Sequence, residues 1–329
     1  MQPGDLVDRY RIVRTVGEGG MGTVFLAEHT LIKRRVAMKV LHANLATDAD
    51  VVERFLNEAR AAGTLGHPNI AESTDMGFTH EHVPYIVFEY LEGALLTDEI
   101  YRLGGLPVRR AVWIARQIAS ALDAAHAANI VHRDLKTDNV FLTDEDAADH
   151  VKVLDFGIAR ILGVVERGLV MGTPEFMAPE QITSPADVDR RADLWALGVI
   201  LYEMLAARRP FPFVDGNVEA LLEAIVTAPP APLGDTPPAI ADLVMRLLAK
   251  DPAQRPESMT EVEAELAAFA GPTEPAVMTR RRMQSQPSLP TIDVIALPPP
   301  PRRPFAWVPV AAAALAGVIA GALGMSLLR

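Results

Sequence analysis

Three side chains at fixed intervals suggest a definite chemistry: Asp134, Asn139 five residues on, and Asp155 sixteen residues beyond that. Transfer of a phosphoryl group to a hydroxyl needs a carboxylate to orient the hydroxyl and accept its proton. It also needs oxygen ligands for Mg2+, which prefers carboxylate and amide oxygens together with phosphates. Asp134 suits the first task, and Asn139 and Asp155 suit the second. Lys136 can neutralise charge on the migrating γ-phosphate. Asp and Asn in loops are ordinarily turn formers, so each residue alone is weak; the ordered set carries the chemistry.

Upstream, Gly17, Gly19, Gly20 and Gly22 lie in the run Gly17-Glu18-Gly19-Gly20-Met21-Gly22-Thr23-Val24. Glycines permit positive φ and let backbone N–H groups approach phosphate oxygens. In a dinucleotide fold the last glycine of such a run opens a helix; here it opens the strand-like Thr23-Val24-Phe25-Leu26. Alone, the run is also compatible with a Gly-rich hairpin that binds nothing. Lys39, in Val36-Ala37-Met38-Lys39, follows one strand and one turn later. There it can reach α- and β-phosphates, although an edge-strand lysine serving only solubility fits the same pattern. Glu58, beside an apolar helical stripe, is the natural counter-charge for that ammonium, the alternative being a solvated helix face.

The elements that must position these groups follow from periodicity. Residues 11–16, 23–29, 36–41 and 83–89 are short, apolar or β-branched, and read as strands. Val52, Phe55, Leu56, Ala59 and Ala62 recur at helical spacing over 50–65, and 108–128, 193–205, 218–226 and 240–248 are likewise periodic. A β-rich first third followed by a helical remainder implies an α+β chain in two lobes.

With these motifs in order, the sequence resembles a eukaryotic-type (Hanks-type) protein Ser/Thr kinase of the bacterial branch. The resemblance covers about 260 residues. It rests on His132-Arg133-Asp134-Leu135-Lys136-Thr137-Asp138-Asn139 and Asp155-Phe156-Gly157, and on Phe55-Leu56-Asn57-Glu58-Ala59. It continues through Gly172-Thr173-Pro174-Glu175-Phe176-Met177-Ala178-Pro179-Glu180, Asp193-Leu194-Trp195 and Asp251-Pro252-Ala253-Gln254-Arg255-Pro256. It implies a two-lobed protein kinase fold over 10–270 behind a tail 1–9, with a small β-rich lobe to about residue 91 and a helical lobe from about 92. It implies ATP with magnesium, manganese being an alternative. The nucleotide would be held by Val16, Gly17, Gly19, Gly20, Gly22, Val24, Ala37, Lys39, Glu58 and Asp155, with Phe88 as gatekeeper and Glu89 to Leu91 as adenine-binding hinge. Asp134, Lys136 and Asn139 would be catalytic, and Asn139 and Asp155 would hold the metal. It further implies a Glu180–Arg255 ion pair, Asp193 bracing the catalytic loop, and protein substrates accepting on Ser or Thr.

The sequence departs from that pattern at Thr137, where the family usually has Pro, and at Phe176, where it often has Tyr. Both look tolerable, because neither position handles phosphate. Between Gly157 and Thr173 there is no Ser, Thr or Tyr. The family commonly phosphorylates that segment and pairs the new charge with the Arg before the catalytic Asp. Arg133 is present without that partner. Glu166 is expected to supply a fixed negative charge, or Val164, Val165, Leu169 and Val170 to order the loop by packing; a loop with Glu166 in solvent is the alternative. Thr173 is read as structural, bonding Asp134 and Lys136.

The bulk numbers limit other functions. The 329 residues carry a formal net charge of −11 and no cysteine. That argues against nonspecific nucleic-acid binding and excludes disulfides, thiolate metal sites and a Cys nucleophile. Residues 271–304 are rich in Pro and include Arg280-Arg281-Arg282 and four consecutive prolines, and read as an extended linker. Residues 305–328 read as a single C-terminal transmembrane helix, with Trp307 to Leu328 wholly uncharged. Arg302 and Arg303 before it, against Arg329 behind, place the kinase in the cytoplasm at a bacterial cell membrane. Ala313, Gly317 and Gly321 recur at four-residue intervals, the spacing of a helix face that can pair in a homodimer. Two competing readings are a kinase-fold pseudoenzyme acting as a membrane scaffold, which would call for loss of a phosphate-handling residue, and a small-molecule kinase, which would need an acceptor pocket around Thr173.

Overall fold

A computed structural model describes residues 1–143, 149–156, 174–213 and 216–269 of the chain. The first lobe is built on one antiparallel sheet: β1 (Leu6–Val7), β2 (Tyr10–Glu18), β3 (Gly22–His29), β4 (Arg35–Leu41), β5 (Ser73–Phe78) and β6 (Pro84–Glu89), in the order β1-β2-β3-β4-β6-β5. Alternation along β4 buries Val36, Met38 and Val40, which puts Ala37 and Lys39 on the other face.

Helix α1 (Ala49–Leu65) starts at Asp48, whose carboxylate accepts from the Asp50 and Val51 amides, and stops at Gly66 in the left-handed region. Phe55, Glu58, Ala59 and Ala62 fall at i, i+3, i+4 and i+7 and are all buried. Glu58 therefore rides on the apolar stripe itself, which fixes where its carboxylate goes.

The second lobe begins with a small sheet of β7 (Gly93–Leu95), β8 (Val140–Thr143) and β9 (His150–Val153). Around it lie α2 (Leu96–Leu103), α3 (Val108–Ala127), α4 (Pro179–Thr183), α5 (Arg191–Ala206), α6 (Val218–Thr227), α7 (Pro238–Leu247) and α8 (Met259–Ala267). Helix α5 is buried on every side from Ala192 to Met204, so it is the axis of the core and not an amphipathic surface helix. Its Trp195 stacks on Phe211 at 5.8 Å.

The lobes are moored by the segment after α1. Val153 N donates to Asn69 O at 2.8 Å, Ala71 N to Val153 O at 3.0 Å, and Asn69 Nδ2 to Val151 O at 2.9 Å. Strand β9, which leads directly to Asp155, is thus held by both lobes. Among the described residues no helix is long and apolar enough to cross a membrane. The expected linker 271–304, the span 305–328 with Ala313, Gly317 and Gly321, and Gly157, Glu166 and Thr173 lie outside the described residues.

Candidate active site

The β2–β3 turn carries the glycines. Gly19 N donates to Gly22 O at 2.9 Å. A Cβ at Gly22 would sit 2.2 Å from the Val40 carbonyl oxygen, so glycine is required there for close approach to β4. Gly17 and Gly20 are different: a Cβ on either would meet nothing within 4 Å. Their lack of a side chain relieves no contact within the protein and leaves the space beside the loop open, as a phosphate cradle requires. His42 holds the loop from β4, its Nε2 lying 2.8 Å from Gly19 O and its amide donating to Met21 O.

Register sets Val24 opposite Lys39 and Ala37 opposite Phe88, so Val24, Ala37 and Lys39 share a face. Val16 is exposed near the turn, and Phe88 packs against the first lobe's core. Glu89 ends β6. Its amide donates to Glu72 O, and its Oε1 accepts from Glu72 N at 2.9 Å and Lys152 Nζ at 2.8 Å. The Glu89 side chain therefore faces β9, while Tyr90 and Leu91 lead into the second lobe.

Lys39 Nζ lies 2.8 Å from Glu58 Oε1 and 2.9 Å from Asp155 Oδ2. Burial works against the ammonium, but the Asp155 and Glu58 carboxylates outweigh it and hold its pKa above the ordinary lysine value. Burial, joined by the neighbouring Asp155 charge, pushes Glu58 upward. Burial would also raise Asp155, yet the Lys39 charge prevails and lowers it.

The catalytic loop is pinned by one carboxylate from α5. Asp193, fully buried, accepts from His132 N at 2.9 Å, Arg133 N at 2.8 Å and His126 Nε2 at 2.7 Å. Such a set of donors is what makes a fully buried carboxylate tolerable. It also holds Arg133 at φ 64°, a conformation that non-glycine residues seldom adopt. Asn139 then ties two backbone segments together: its Nδ2 donates to the backbone Asp134 O at 2.8 Å, and its backbone carbonyl accepts from Leu154 N at 2.8 Å. Lys136 Nζ stands 3.3 Å from Asp134 Oδ2. Asp134, Lys136, Asn139, Asp155 and Lys39 thus come together at the junction of the lobes.

Asn139 and Asp155 suit a divalent ion whose other ligands come from phosphate and water. The Asn139 amide nitrogen is engaged by Asp134 O, which leaves its oxygen for a cation, and Asp155 has an oxygen beyond the one bonded to Lys39. Among the described residues no group of three or more His, Cys, Asp or Glu forms a self-sufficient metal cage. Two oxygen donors of this kind make a partial shell for a hard divalent cation.

Glu180 and Arg255 form the expected pair, bidentate at 2.6 and 2.8 Å, with the arginine side chain fully buried. Sequence reasoning missed four partners. His126 shares Asp193, and Lys152 pairs with Glu89. The Arg133 guanidinium donates to Val188 O. Thr137 does more than tolerate its position: it is fully buried, and its hydroxyl donates to Glu203 Oε2 at 3.2 Å. None of these lies near its partner in sequence, so no spacing rule would have found them.

Comparison with known proteins agrees with the geometry. The protein kinase domain family matches residues 10–266. The chain is 42% identical over 292 residues to Serine/threonine-protein kinase Pkn1 of Myxococcus xanthus, covering 85% of this chain and 40% of that protein. It is 36% identical to PrkC of Bacillus subtilis (78% of this chain, 40% of that one) and 38% identical to PknA of Mycobacterium tuberculosis (76% and 58%). The chain therefore spans between about two-fifths and three-fifths of these relatives' lengths. The crystal structure of the Mycobacterium tuberculosis PknI kinase domain superposes with a TM-score of 0.64 at 29% identity, covering 82% of this chain and 98% of that one.

Proposed function

Because the chain belongs to the protein kinase family, we propose that it transfers the γ-phosphate of MgATP to Ser or Thr hydroxyls of protein substrates. The observation that carries this reading is Lys39 Nζ bridging Glu58 and Asp155 while Asn139 ties Asp134 to the residue preceding Asp155. Lys39, Glu58, Asp155, Asn139, Asp134 and Lys136 are all present and are joined by these contacts.

Lys39, fixed by Glu58, would bind the α- and β-phosphates, and the glycine loop would lie along them. Asn139 and Asp155 would hold Mg2+, which when bound neutralises charge on the transferring group. Asp134 would orient the acceptor hydroxyl and take its proton, and Lys136 beside it would counter the charge that builds up on transfer. The backbone from Glu89 to Leu91 would receive the adenine, with Val16, Val24, Ala37 and Phe88 around it.

We also infer that residues 305–328 anchor the kinase at the cytoplasmic face of a bacterial membrane through a single span, with lipid as its partner there. Its uncharged composition and the flanking Arg302 and Arg303 support this. Pairing of spans through Ala313, Gly317 and Gly321 would bring two kinases together.

The activity is tested by γ-phosphate transfer to a generic protein acceptor. Asp134→Asn should lower kcat by about 10²–10⁴-fold while leaving nucleotide affinity nearly unchanged. Absence of transfer by the wild-type chain with either magnesium or manganese would sink the reading. The anchor is tested by fractionating the full chain against one ending at residue 270, of which only the first should sediment with membranes.

A further inference from the structure

Thr137 and Phe176, two of the departures from the family's motifs, lie at opposite ends of one series of contacts. Thr137 opens the short turn Thr137–Asn139, three residues after Asp134. Its hydroxyl donates to Glu203 Oε2 and lies 2.8 Å from the Thr97 hydroxyl of α2. Glu203, on α5, is 2% exposed, and its Oε1 stands 3.2 Å from Arg209 Nε. The Arg209 guanidinium in turn lies over the Phe176 ring, 3.9 Å from the centroid. Phe176 closes the turn Pro174–Phe176, within the segment that by its family resemblance faces the acceptor.

A buried carboxylate is costly unless its oxygens are occupied. Burial pushes Glu203 upward, while Arg209 and the Thr137 hydroxyl pull against that. Proline at 137 would have no hydroxyl to offer, so the threonine has a specific task here. The arginine is equally constrained. Its Nε faces Glu203, its plane covers an aromatic ring, and its Nη1 has no hydrogen-bond partner among the described residues. Moving either end disturbs the carboxylate in the middle. Lys39, Glu58 and Asp155 take no part in these contacts, and Asn139, which ends the turn that Thr137 opens, is held separately by Asp134 O and Leu154 N.

We propose that Thr137, Glu203 and Arg209 are positioning residues that set the turn carrying Phe176 against the catalytic loop, and so govern affinity for the protein acceptor and not for the nucleotide. This rests on the kinase reading above. It predicts that the acceptor segment is kept in place from within the protein, by a hydroxyl and a guanidinium contributed by two different elements.

The test uses the full chain with Thr137→Val, Thr137→Ser and Arg209→Met. Thr137→Val should raise KM for a protein acceptor about tenfold with KM for ATP unchanged, and Thr137→Ser should restore it. Arg209→Met, which keeps an unbranched side chain but removes the guanidinium from both Glu203 and the Phe176 ring, should act in the same direction from the other end. The double variant should fall short of the product of the single effects, as coupled sites do. Amide exchange supplies a readout that needs no activity: the Met177 amide, bonded to Pro174 O in the wild type, should exchange faster in Thr137→Val. Equal rises in both KM values, a lower melting temperature with both KM values unchanged, or unaltered Met177 exchange would each overturn the proposal. A wild-type chain that transfers nothing would instead defeat the kinase reading and leave the exchange experiment to decide the coupling.

Discussion

The guanidinium of Arg133 donates through Nη2 to the carbonyl of Val188 at 3.1 Å. Arg133 immediately precedes Asp134, and its amide is held by Asp193. Its cationic head is therefore engaged by the loop ahead of α5. The 15 residues between Gly157 and Thr173 offer no hydroxyl to phosphorylate. Turnover of phosphatase-treated protein should accordingly equal that of untreated protein, as followed by transfer of labelled phosphate. A large loss on dephosphorylation would show that charge added elsewhere is what Arg133 needs.

What was legible in the sequence was whatever depends on residue identity at short range. The Asp134, Asn139 and Asp155 set, the Lys39 strand and the Glu58 stripe declare themselves by spacing, because the backbone periodicity of strand and helix places them. Strand β5 does not. Its residues Ser73-Thr74-Asp75-Met76-Gly77-Phe78 include Asp and Gly, which strands disfavour, and it forms by pairing with β6. Helix α2 was missed because eight residues show barely two turns of pattern. The partner of Thr137 was illegible for a different reason: it is a carboxylate 66 residues away, and only the folded chain brings Glu203 to it.

Arg255 supplies a stability prediction. Its fully buried side chain donates to both Glu180 oxygens and to the carbonyls of Ala249 and Arg191. Truncation would strand the carboxylate and two carbonyls at once. Arg255→Ala should cost about 3–5 kcal/mol in urea unfolding. Arg255→Lys should recover little, because an ammonium cannot present the two-pronged geometry that Glu180 accepts. Full recovery by lysine would reduce the contact to simple charge pairing.

Glu99 supplies the pH dependence. It is 3% exposed, and Arg102 grips it at 2.9 and 2.7 Å while Arg110 donates at 2.7 Å. Hydrogen bonds from Arg102, against the opposing effect of burial and with help from Arg110, hold its pKa down to about 2 against an ordinary 4.5. A carboxylate depressed on folding contributes stability that is fully present above its unfolded pKa and is lost as pH falls through its folded one. Unfolding free energy should therefore decline between about pH 4.5 and about pH 2, and the decline should be shallower in Glu99→Gln. Identical slopes for the two proteins would assign the acid sensitivity to other groups.

Ala207 closes α5 with its amide donating to Glu203 O at 2.9 Å, and it does so at φ 52°. That conformation turns the chain back so that Arg209 can return to Glu203, but it suits glycine better than alanine. The left-handed region costs a residue bearing Cβ about 1–2 kcal/mol. Glycine regains that, less about 0.4–1 kcal/mol for the greater freedom of its unfolded chain. Ala207→Gly should therefore stabilise the protein by about 0.5–1 kcal/mol in urea unfolding. Because the turn itself is kept, KM for the protein acceptor should stay at its wild-type value. A destabilised variant would mean that contacts of the alanine methyl outweigh the backbone strain.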